Sequence, residues 1–251
     1  MKKELLIVIP AYNEEENIER VVRTIVDKYN QFDYIVVNDG SKDRTADICR
    51  ENNFELLDLP INLGLAGAFQ AGLKYAYAKG YSYVIQFDAD GQHRPKYIEP
   101  MLMKIKEGYD IVIGSRFVNV RKDKSLRMLG SRMLTLTIKV TTGVRVSDPT
   151  SGMRMFSSDM IKEFAQNLNY GPEPDTISYL LKNGAKIAEV QTEMDERQFG
   201  ESYLNMMNSI KYMVKMIYKK LLSKFFLVSS FSSFYFISFS IAFATPSLPY
   251  S

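Results

Sequence analysis

Short apolar runs alternate with stretches of helical spacing through the first half of the chain. Leu5 to Ile9 reads as a buried strand, and Asn13 to about Lys28 as a helix with Ile18, Val21, Val22, Ile25 and Val26 on one face. Tyr34 to Val37 predicts a second strand, Thr45 to about Asn52 a helix, and Phe54 to Leu57 a third strand. Asn62-Leu63-Gly64-Leu65-Ala66-Gly67 is a glycine loop opening a helix to about Lys79. Tyr83 to Phe87 predicts a fourth strand, Ile98 to Lys106 a helix, and Asp110 to Ile113 a fifth strand. Alternation of this kind predicts an α/β fold with a mostly parallel central sheet. Ligands in such sheets bind at the carboxyl ends of the strands. Those ends carry Pro10-Ala11-Tyr12-Asn13-Glu14, Asn38-Asp39-Gly40-Ser41, Asp88-Ala89-Asp90 and Gly114-Ser115-Arg116, which are expected to converge on one edge.

From residue 117 to 150 the pattern loosens and turns basic, with Arg121, Lys122, Lys124, Arg127, Arg132, Lys139 and Arg145. Asp148-Pro149-Thr150-Ser151-Gly152 reads as a turn, followed by a helix near Asp175 to Lys182 and a strand near Lys186 to Gln191. The sequence divides into a domain over 1–202, a basic amphipathic helix over 203–224 and a hydrophobic tail over 225–251. Leu204, Met207, Ile210, Val214, Ile217 and Leu221 recur at helical spacing, and Lys211, Lys215, Lys219, Lys220 and Lys224 accompany them with no acid between. That pattern suits an anionic membrane surface; a core-packing helix with a solvated lysine face is the plain alternative. Phe225 to Ala244 is uncharged and long enough to span a bilayer, although its serines make it a weak span. The flanking lysines put its N-terminal side in the cytoplasm. A re-entrant, disordered or foreign end is the alternative.

Composition narrows the chemistry. The chain has 251 residues, 46% hydrophobic and 24% charged, as expected of one large domain or one domain with appendages. A net charge of +3 is too small a surplus to argue for nucleic acid. One cysteine, Cys49, excludes an intrachain disulfide and a cysteine-rich zinc site. One histidine, His93, excludes a multi-histidine metal site, so any metal sits mainly on oxygen, which favours Mg²⁺ or Mn²⁺. Lys2 and Lys3 precede an apolar run too short for a cleaved signal, and Glu4, Glu14, Glu15 and Glu16 argue against one. The catalytic part is expected at the cytoplasmic face of the membrane, peripheral or single-pass.

Asp88-Ala89-Asp90-Gly91-Gln92 is the most specific element. Two carboxylates one residue apart after an apolar strand can hold one hard cation, and Gln92 adds a carbonyl oxygen. Such a metal would bridge a diphosphate and neutralise it as it leaves. An ordinary acidic turn is the alternative.

Taken in order, Ile9-Pro10-Ala11-Tyr12-Asn13-Glu14, Asn38-Asp39-Gly40-Ser41-Lys42-Asp43, Asn62-Leu63-Gly64, Asp88-Ala89-Asp90-Gly91-Gln92-His93 and Gly114-Ser115-Arg116 resemble a family-2 glycosyltransferase of the GT-A fold. Asp148-Pro149-Thr150-Ser151-Gly152-Met153-Arg154 and Arg197-Gln198-Phe199-Gly200-Glu201-Ser202 are similar to the branch that contains dolichyl-phosphate mannose synthase and bacterial polyprenyl-phosphate relatives. The resemblance covers about residues 4 to 203.

It implies that Pro10, Tyr12, Glu14, Asp39 and Asp88 hold a nucleotide sugar. Asp39 would accept from a base N–H and Glu14 from ribose hydroxyls. For Glu15 and Glu16, an acidic first helical turn favoured by the dipole is sufficient. Asp88, Asp90 and Gln92 would hold Mg²⁺ or Mn²⁺ on the diphosphate. Arg116, Arg127, Ser131 and Arg197 would contact the acceptor phosphate, a task suited to the arginine fork. Asp90, Arg116 and Asp148 would form the catalytic set, Asp148 as base or organiser; a plain Asp-Pro turn is the alternative for it. A phosphate monoester is largely dianionic at neutral pH, with a second pKa of about 6, so it needs no strong base. Positioning and charge neutralisation would then carry most of the rate. Arg132 and Arg145 read as surface charge, and His93 as a structural partner outside the metal shell.

The chain departs from its resemblance in two ways. Tyr203 stands where many relatives have lysine, and the tail has room for one membrane span at best. A membrane-protein partner would be compatible with that. The absence of Trp removes the Gln-x-x-Arg-Trp motif of processive polymer synthases. The expected activity is inverting transfer of one hexose from a nucleotide-diphosphate sugar (GDP-mannose or UDP-hexose) to undecaprenyl or dolichyl phosphate. A saccharide acceptor in cell-surface polysaccharide assembly is the enzymatic alternative, and a non-catalytic nucleotide-sugar-binding protein the alternative of another class.

Overall fold

The computed structural model describes residues 4–122, 126–167 and 174–195, without the side chains of residues 126–127 and 174–175. The amphipathic helix and hydrophobic tail expected over 203–251 lie outside the described residues.

Among the described residues seven strands form one sheet: β1 Leu5–Ala11, β2 Asp33–Asp39, β3 Leu56–Leu59, β4 Tyr83–Gln86, β5 Ile111–Ser115, β6 Arg154–Ser157 and β7 Ile187–Gln191. Their order is β3-β2-β1-β4-β6-β5-β7. Only β6 runs antiparallel to its neighbours β4 and β5; the other pairings are parallel. The fold is thus the expected α/β class with a mostly parallel sheet.

Among the described residues seven α-helices accompany the sheet: α1 Ile18–Lys28, α2 Thr45–Glu51, α3 Gly64–Lys79, α4 Ile98–Ile105, α5 Leu126–Thr142, α6 Ser158–Gln166 and α7 Pro174–Lys182. Strand alternation splits the core into two layers. Leu5, Ile7 and Ile9 of β1 pack with Ile18, Val22 and Ile25 of α1 and with Ile98 and Met101 of α4. Leu6 and Val8 face the other way, onto Phe69 and Leu73 of α3, in the layer that also takes Ile138 of α5, Phe164 of α6 and Ile177 of α7. Helices therefore lie on both faces, and functional groups are confined to the sheet's edges.

Four elements differ from the sequence expectation. The first helix begins at Ile18 rather than Asn13, because Asn13 takes a left-handed φ of 53° and residues 14–17 form a turn. The loosened stretch 117–150 contains α5, and the segment after the Asp148 turn contains β6 and α6.

Chain direction decides what meets at the site. The strand order reverses between β1 and β4, and that switch point opens a crevice at the carboxyl edge. The β1–β4 register ends at Val8↔Gln86, so Pro10 sits beyond it, where its missing N–H costs no ladder bond to β4. Antiparallel β6 enters from this same edge, which brings the preceding loop 148–153 beside the ends of β4 and β5.

Gly72 of α3 lies against Val8 of β1, and a Cβ there would collide with the Val8 methyls. Gly72→Ala is expected to cost about 1–3 kcal/mol by overpacking, a fall of several degrees in Tm. Thermal unfolding by circular dichroism measures it, and Val8→Ala in the same chain should restore part of the loss; an unchanged Tm for Gly72→Ala would contradict this packing.

Candidate functional site

The ends of β1 and β2 are sewn together by backbone–side-chain bonds. The Asn13 N–H donates to Ser41 Oγ (3.0 Å), the Lys42 N–H to Asn13 Oδ1 (2.9 Å) and the Glu14 N–H to Thr45 Oγ1 (2.9 Å). Glu14 Oε2 accepts from Asn17 Nδ2 at 2.8 Å. Glu14 also lines a cavity of about 350 Å³ with Asn13, Glu15, Asn17 and Lys42. Asp39 is buried, and its Oδ1 accepts from the Leu63 N–H at 2.7 Å, so it anchors the glycine loop. Gly40 has a φ of 63°, and a Cβ there would lie 2.6 Å from the Ile61 carbonyl carbon; the close approach of these loops requires glycine.

The Asp88–Gln92 turn follows β4. Asp88 Oδ1 accepts from Gln86 Nε2 (3.1 Å), and the Asp88 N–H donates to His93 Nδ1 (2.9 Å). That acceptor role assigns the ring proton to Nε2, which faces Asp88 Oδ2 at 3.5 Å. His93 is buried edge-on against Phe87 and supports the turn from within. Asp90 Oδ1 accepts from the Gln92 N–H at 3.0 Å. Gln92 Nε2 donates to the Asp195 carbonyl at 3.4 Å, while the Asp195 N–H returns a bond to the Gln92 carbonyl at 2.9 Å. Two carboxylates and an amide offer only oxygen, a donor set that fits a hard divalent cation completing its shell with phosphate and water. Among the described residues no group of three or more His, Cys, Asp or Glu side chains is gathered to hold a metal alone. The residues thus suit a cation that shares its shell with a phosphorylated ligand.

Across the crevice, Asp148 is fully buried. Arg116 grips it with Nε to Oδ2 (2.7 Å) and Nη2 to Oδ1 (2.9 Å), and the Arg116 N–H adds a third bond to Oδ2 (3.2 Å). Thr150 Oγ1 also donates to Oδ1 at 3.1 Å. Burial acts to raise the Asp148 pKa, but the Arg116 bonds and charge outweigh it and hold the carboxyl below the usual range. Glu189 of β7 accepts from the N–H groups of Ser147 (2.7 Å) and Asp148 (2.9 Å). Buried Arg154 donates to the carbonyls of Ser151 and Pro149, both at 2.9 Å, fixing the loop from the sheet side. A Cβ on Gly152 would lie 2.5 Å from Asp88 Oδ2, so this loop rests directly on the carboxylate turn.

The structure brings together Pro10, Tyr12, Glu14 and Asp39 at the ends of β1 and β2, Asp88, Asp90 and Gln92 after β4, and Arg116 with Asp148. Ser131 of α5 is buried, and its Oγ accepts from Lys122 Nζ at 2.7 Å. Arg127 falls in the first turn of α5 with its side chain outside the described residues, and Arg197 lies outside them altogether. Sequence reasoning passed over Lys122 and Arg20. Lys122 bonds Ser131 and Thr135 and sits 5.1 Å above the Phe117 ring, which Arg116 also faces at 5.2 Å. Burial pushes its ammonium below the ordinary lysine range, opposed by Asp148 and reinforced by Arg116. Arg20 of α1 lies over Gly91, whose φ of 76° and lack of a Cβ admit it, and donates to Asn17 Oδ1 at 3.2 Å. Lys122 was one of seven cations in a basic run and Arg20 one polar position on a helix; nothing local distinguished either.

The family model for glycosyl transferase family 2 matches residues 6–164. The UDP-N-acetylglucosamine–dolichyl-phosphate N-acetylglucosaminyltransferase of Methanococcus voltae is 32% identical over 75% of this chain and 84% of its own length. The undecaprenyl-phosphate mannosyltransferase of Micrococcus luteus is 29% identical over 80% and 87%, and the polyprenol monophosphomannose synthase of Mycolicibacterium smegmatis 28% identical over 84% of each. Among solved structures, glucosyl-3-phosphoglycerate synthase from Mycobacterium tuberculosis, in complex with Mn²⁺, UDP and phosphoglyceric acid, superposes with a TM-score of 0.61 at 22% identity, over 88% of this chain and 78% of that one. That structural likeness speaks to the fold alone. With the motif order, the sheet and the family model in agreement, the chain belongs to glycosyl transferase family 2 and is a glycosyltransferase.

Proposed function

We propose that this glycosyltransferase moves one hexose, with inversion, from a nucleotide-diphosphate sugar such as GDP-mannose or a UDP-hexose to a polyprenyl phosphate at the cytoplasmic face of a membrane. The observation that carries this reading is the cationic cluster across the crevice from the Asp88–Gln92 turn. Arg116, fixed by Asp148, and Lys122, on Ser131, lie beside the loop whose Gly152 rests on Asp88. A donor diphosphate at Asp88 and Asp90 would thus face cationic groups suited to a second phosphate. The named relatives act on polyprenyl or dolichyl phosphates, which supports the same choice of acceptor.

On this reading the nucleoside lies along the ends of β1 and β2, with Tyr12, Glu14 and Asp39 at hand. Asp88, Asp90 and Gln92 would hold Mg²⁺ or Mn²⁺, whose chemistry is to offset the charge of the departing diphosphate. Arg116 and Ser131, with Arg127 and Arg197 as further candidates, orient the acceptor phosphate so that one of its oxygens bonds to the sugar C1 as the C1–diphosphate bond breaks on the opposite side. No proton need be removed, because a phosphate monoester with a second pKa of about 6 is already ionised. Asp148, buried and accepting four hydrogen bonds, is a poor proton acceptor; it serves as the positioning residue for Arg116. A sugar hydroxyl acceptor would need a base, a role for which Asp148 in this arrangement is ill suited.

With Mg²⁺ or Mn²⁺, undecaprenyl or dolichyl phosphate and labelled nucleotide sugars, the full chain is expected to transfer label into organic-extractable lipid, and Asp90→Asn to abolish it. Donor binding or slow donor hydrolysis without lipid product would overturn the lipid acceptor. Asp148→Asn should lower kcat/KM for the lipid tenfold to a hundredfold, about 1.4–2.8 kcal/mol, chiefly through acceptor KM, with the pH–rate profile unmoved. A lost acid limb would instead mark Asp148 as a base. Lys122→Met keeps the stem but removes the charge, and is expected to raise acceptor KM roughly tenfold for one charge-assisted contact while donor KM stays within about twofold. Equal effects on both substrates would argue for a fold defect.

A further inference from the structure

Helix α5 carries apolar side chains on two opposite faces. Met128, Leu134 and Ile138 are buried, Ile138 within the core layer that holds Phe156 and Phe164. On the other side Leu129, Met133, Leu136 and Val140 are 51%, 47%, 61% and 59% exposed. At 3.6 residues per turn these four fall within an arc of about 60°, opposite Leu134 and Ile138, along a stripe about 16 Å long. Arg132 and Lys139 border it on one side and Thr137 on the other; Val144 and Arg145, just past the helix, are also exposed. From residue 124 to 147 the sequence has Lys124, Arg127, Arg132, Lys139 and Arg145 and no acid.

Single exposed apolar residues are ordinary, but a continuous row opposite a packed face marks an interaction surface. The charge pattern selects the occupant. An apolar stripe bordered by Arg132 and Lys139, on a segment without an acid from 124 to 147, matches the boundary between acyl chains and anionic headgroups. Among the described residues no helix is long and apolar enough to cross a membrane, so α5 would lie in the plane of the surface. We infer that the Leu129–Val140 face of α5 seats in the surface of an anionic bilayer, with Arg132 and Lys139 at the headgroups. Ser131, on the inner side of the same helix and bonded to Lys122, is then held just above the lipid. This deepens the reading of a lipid-borne acceptor and rests on it for the purpose of the contact.

The test uses the full chain and vesicles of phosphatidylcholine with or without phosphatidylglycerol, free of polyprenyl phosphate and donor, so its result stands whether or not sugar transfer to lipid is found. Leu136→Cys carries an environment-sensitive fluorophore, and Asp27→Cys, exposed on α1 in the opposite layer, is the control. Cys49 is buried with its thiol pushed up to about 11, so the introduced thiol reacts first. Expected is a blue shift, with quenching by spin-labelled acyl chains, at 136 and not at 27, stronger with phosphatidylglycerol and weakened by salt. Leu136→Asp with Val140→Asp should reduce vesicle partitioning roughly tenfold. Three results overturn the inference: no vesicle binding, binding that leaves the label at 136 unchanged, or a label already in apolar surroundings before vesicles are added. In the last case the stripe is covered by protein, and dilution distinguishes a second copy from residues 203–224 of the same chain.

Discussion

A carboxylate with no exposed surface has to be compensated by groups brought to it, and at Asp148 that requirement organises half the site. Arg116 from the end of β5 meets it with a two-pronged grip and its own N–H, while Glu189 of β7 takes the backbone N–H groups of residues 147 and 148. Ile113↔Glu189 is a paired position of the β5–β7 ladder, so the loop is hung from two adjacent strands. Buried ion pairs are costly to desolvate and weak as sources of net stability. What this one supplies is orientation. Because the Asp148 pKa is lowered on folding, the pair adds stability that is present above the unfolded carboxylate value of about 3.9 and lost only as pH falls through the folded value. Near neutrality Arg116 is therefore held by a partner that does not titrate.

The alternation of strands and helices made the parallel part of the sheet legible from sequence, and the polar clusters after β1, β2, β4 and β5 lie together as that reading required. Of the elements that escaped, two did so for identifiable physical reasons. β6 has four residues and begins with a buried arginine, Arg154, whose charge is answered by carbonyls of a loop that no local pattern reveals. Helix α5 escaped because Met128, Leu134 and Ile138 point one way and Leu129, Met133, Leu136 and Val140 the other, which erases single-face periodicity. Thr135, Thr137, Thr141 and Thr142 dilute helix propensity further, each bonding back to a carbonyl three or four residues earlier.

The site divides in the same way. Asp88, Asp90, Gln92, Arg116 and Asp148 belong to ordered motifs and could be named in advance. Lys122 and Arg20 could not, because what singles them out is distance in space: Lys122 reaches Ser131 nine residues on, and Arg20 reaches over Gly91 from another helix. Motif residues announce themselves by their order along the chain, whereas a cation brought in by tertiary packing becomes visible only in the fold.

Gly152 settles how the two halves are spaced. The loop that carries Asp148 descends onto Asp88 so closely that a single methyl on Gly152 would intrude on Oδ2 at 2.5 Å. Asp88 is held by Gln86 and by its backbone bond to His93, and the loop by Arg154 below and by Ser151, whose Oγ donates to the Gly114 carbonyl at 2.5 Å. The close approach of the carboxylate turn and the cationic cluster thus depends on the absence of a side chain at Gly152. For the proposed transfer of a sugar from a diphosphate to a phosphate, like charges have to be held near each other, and a contact of loop backbone with a carboxylate is one way to set their spacing.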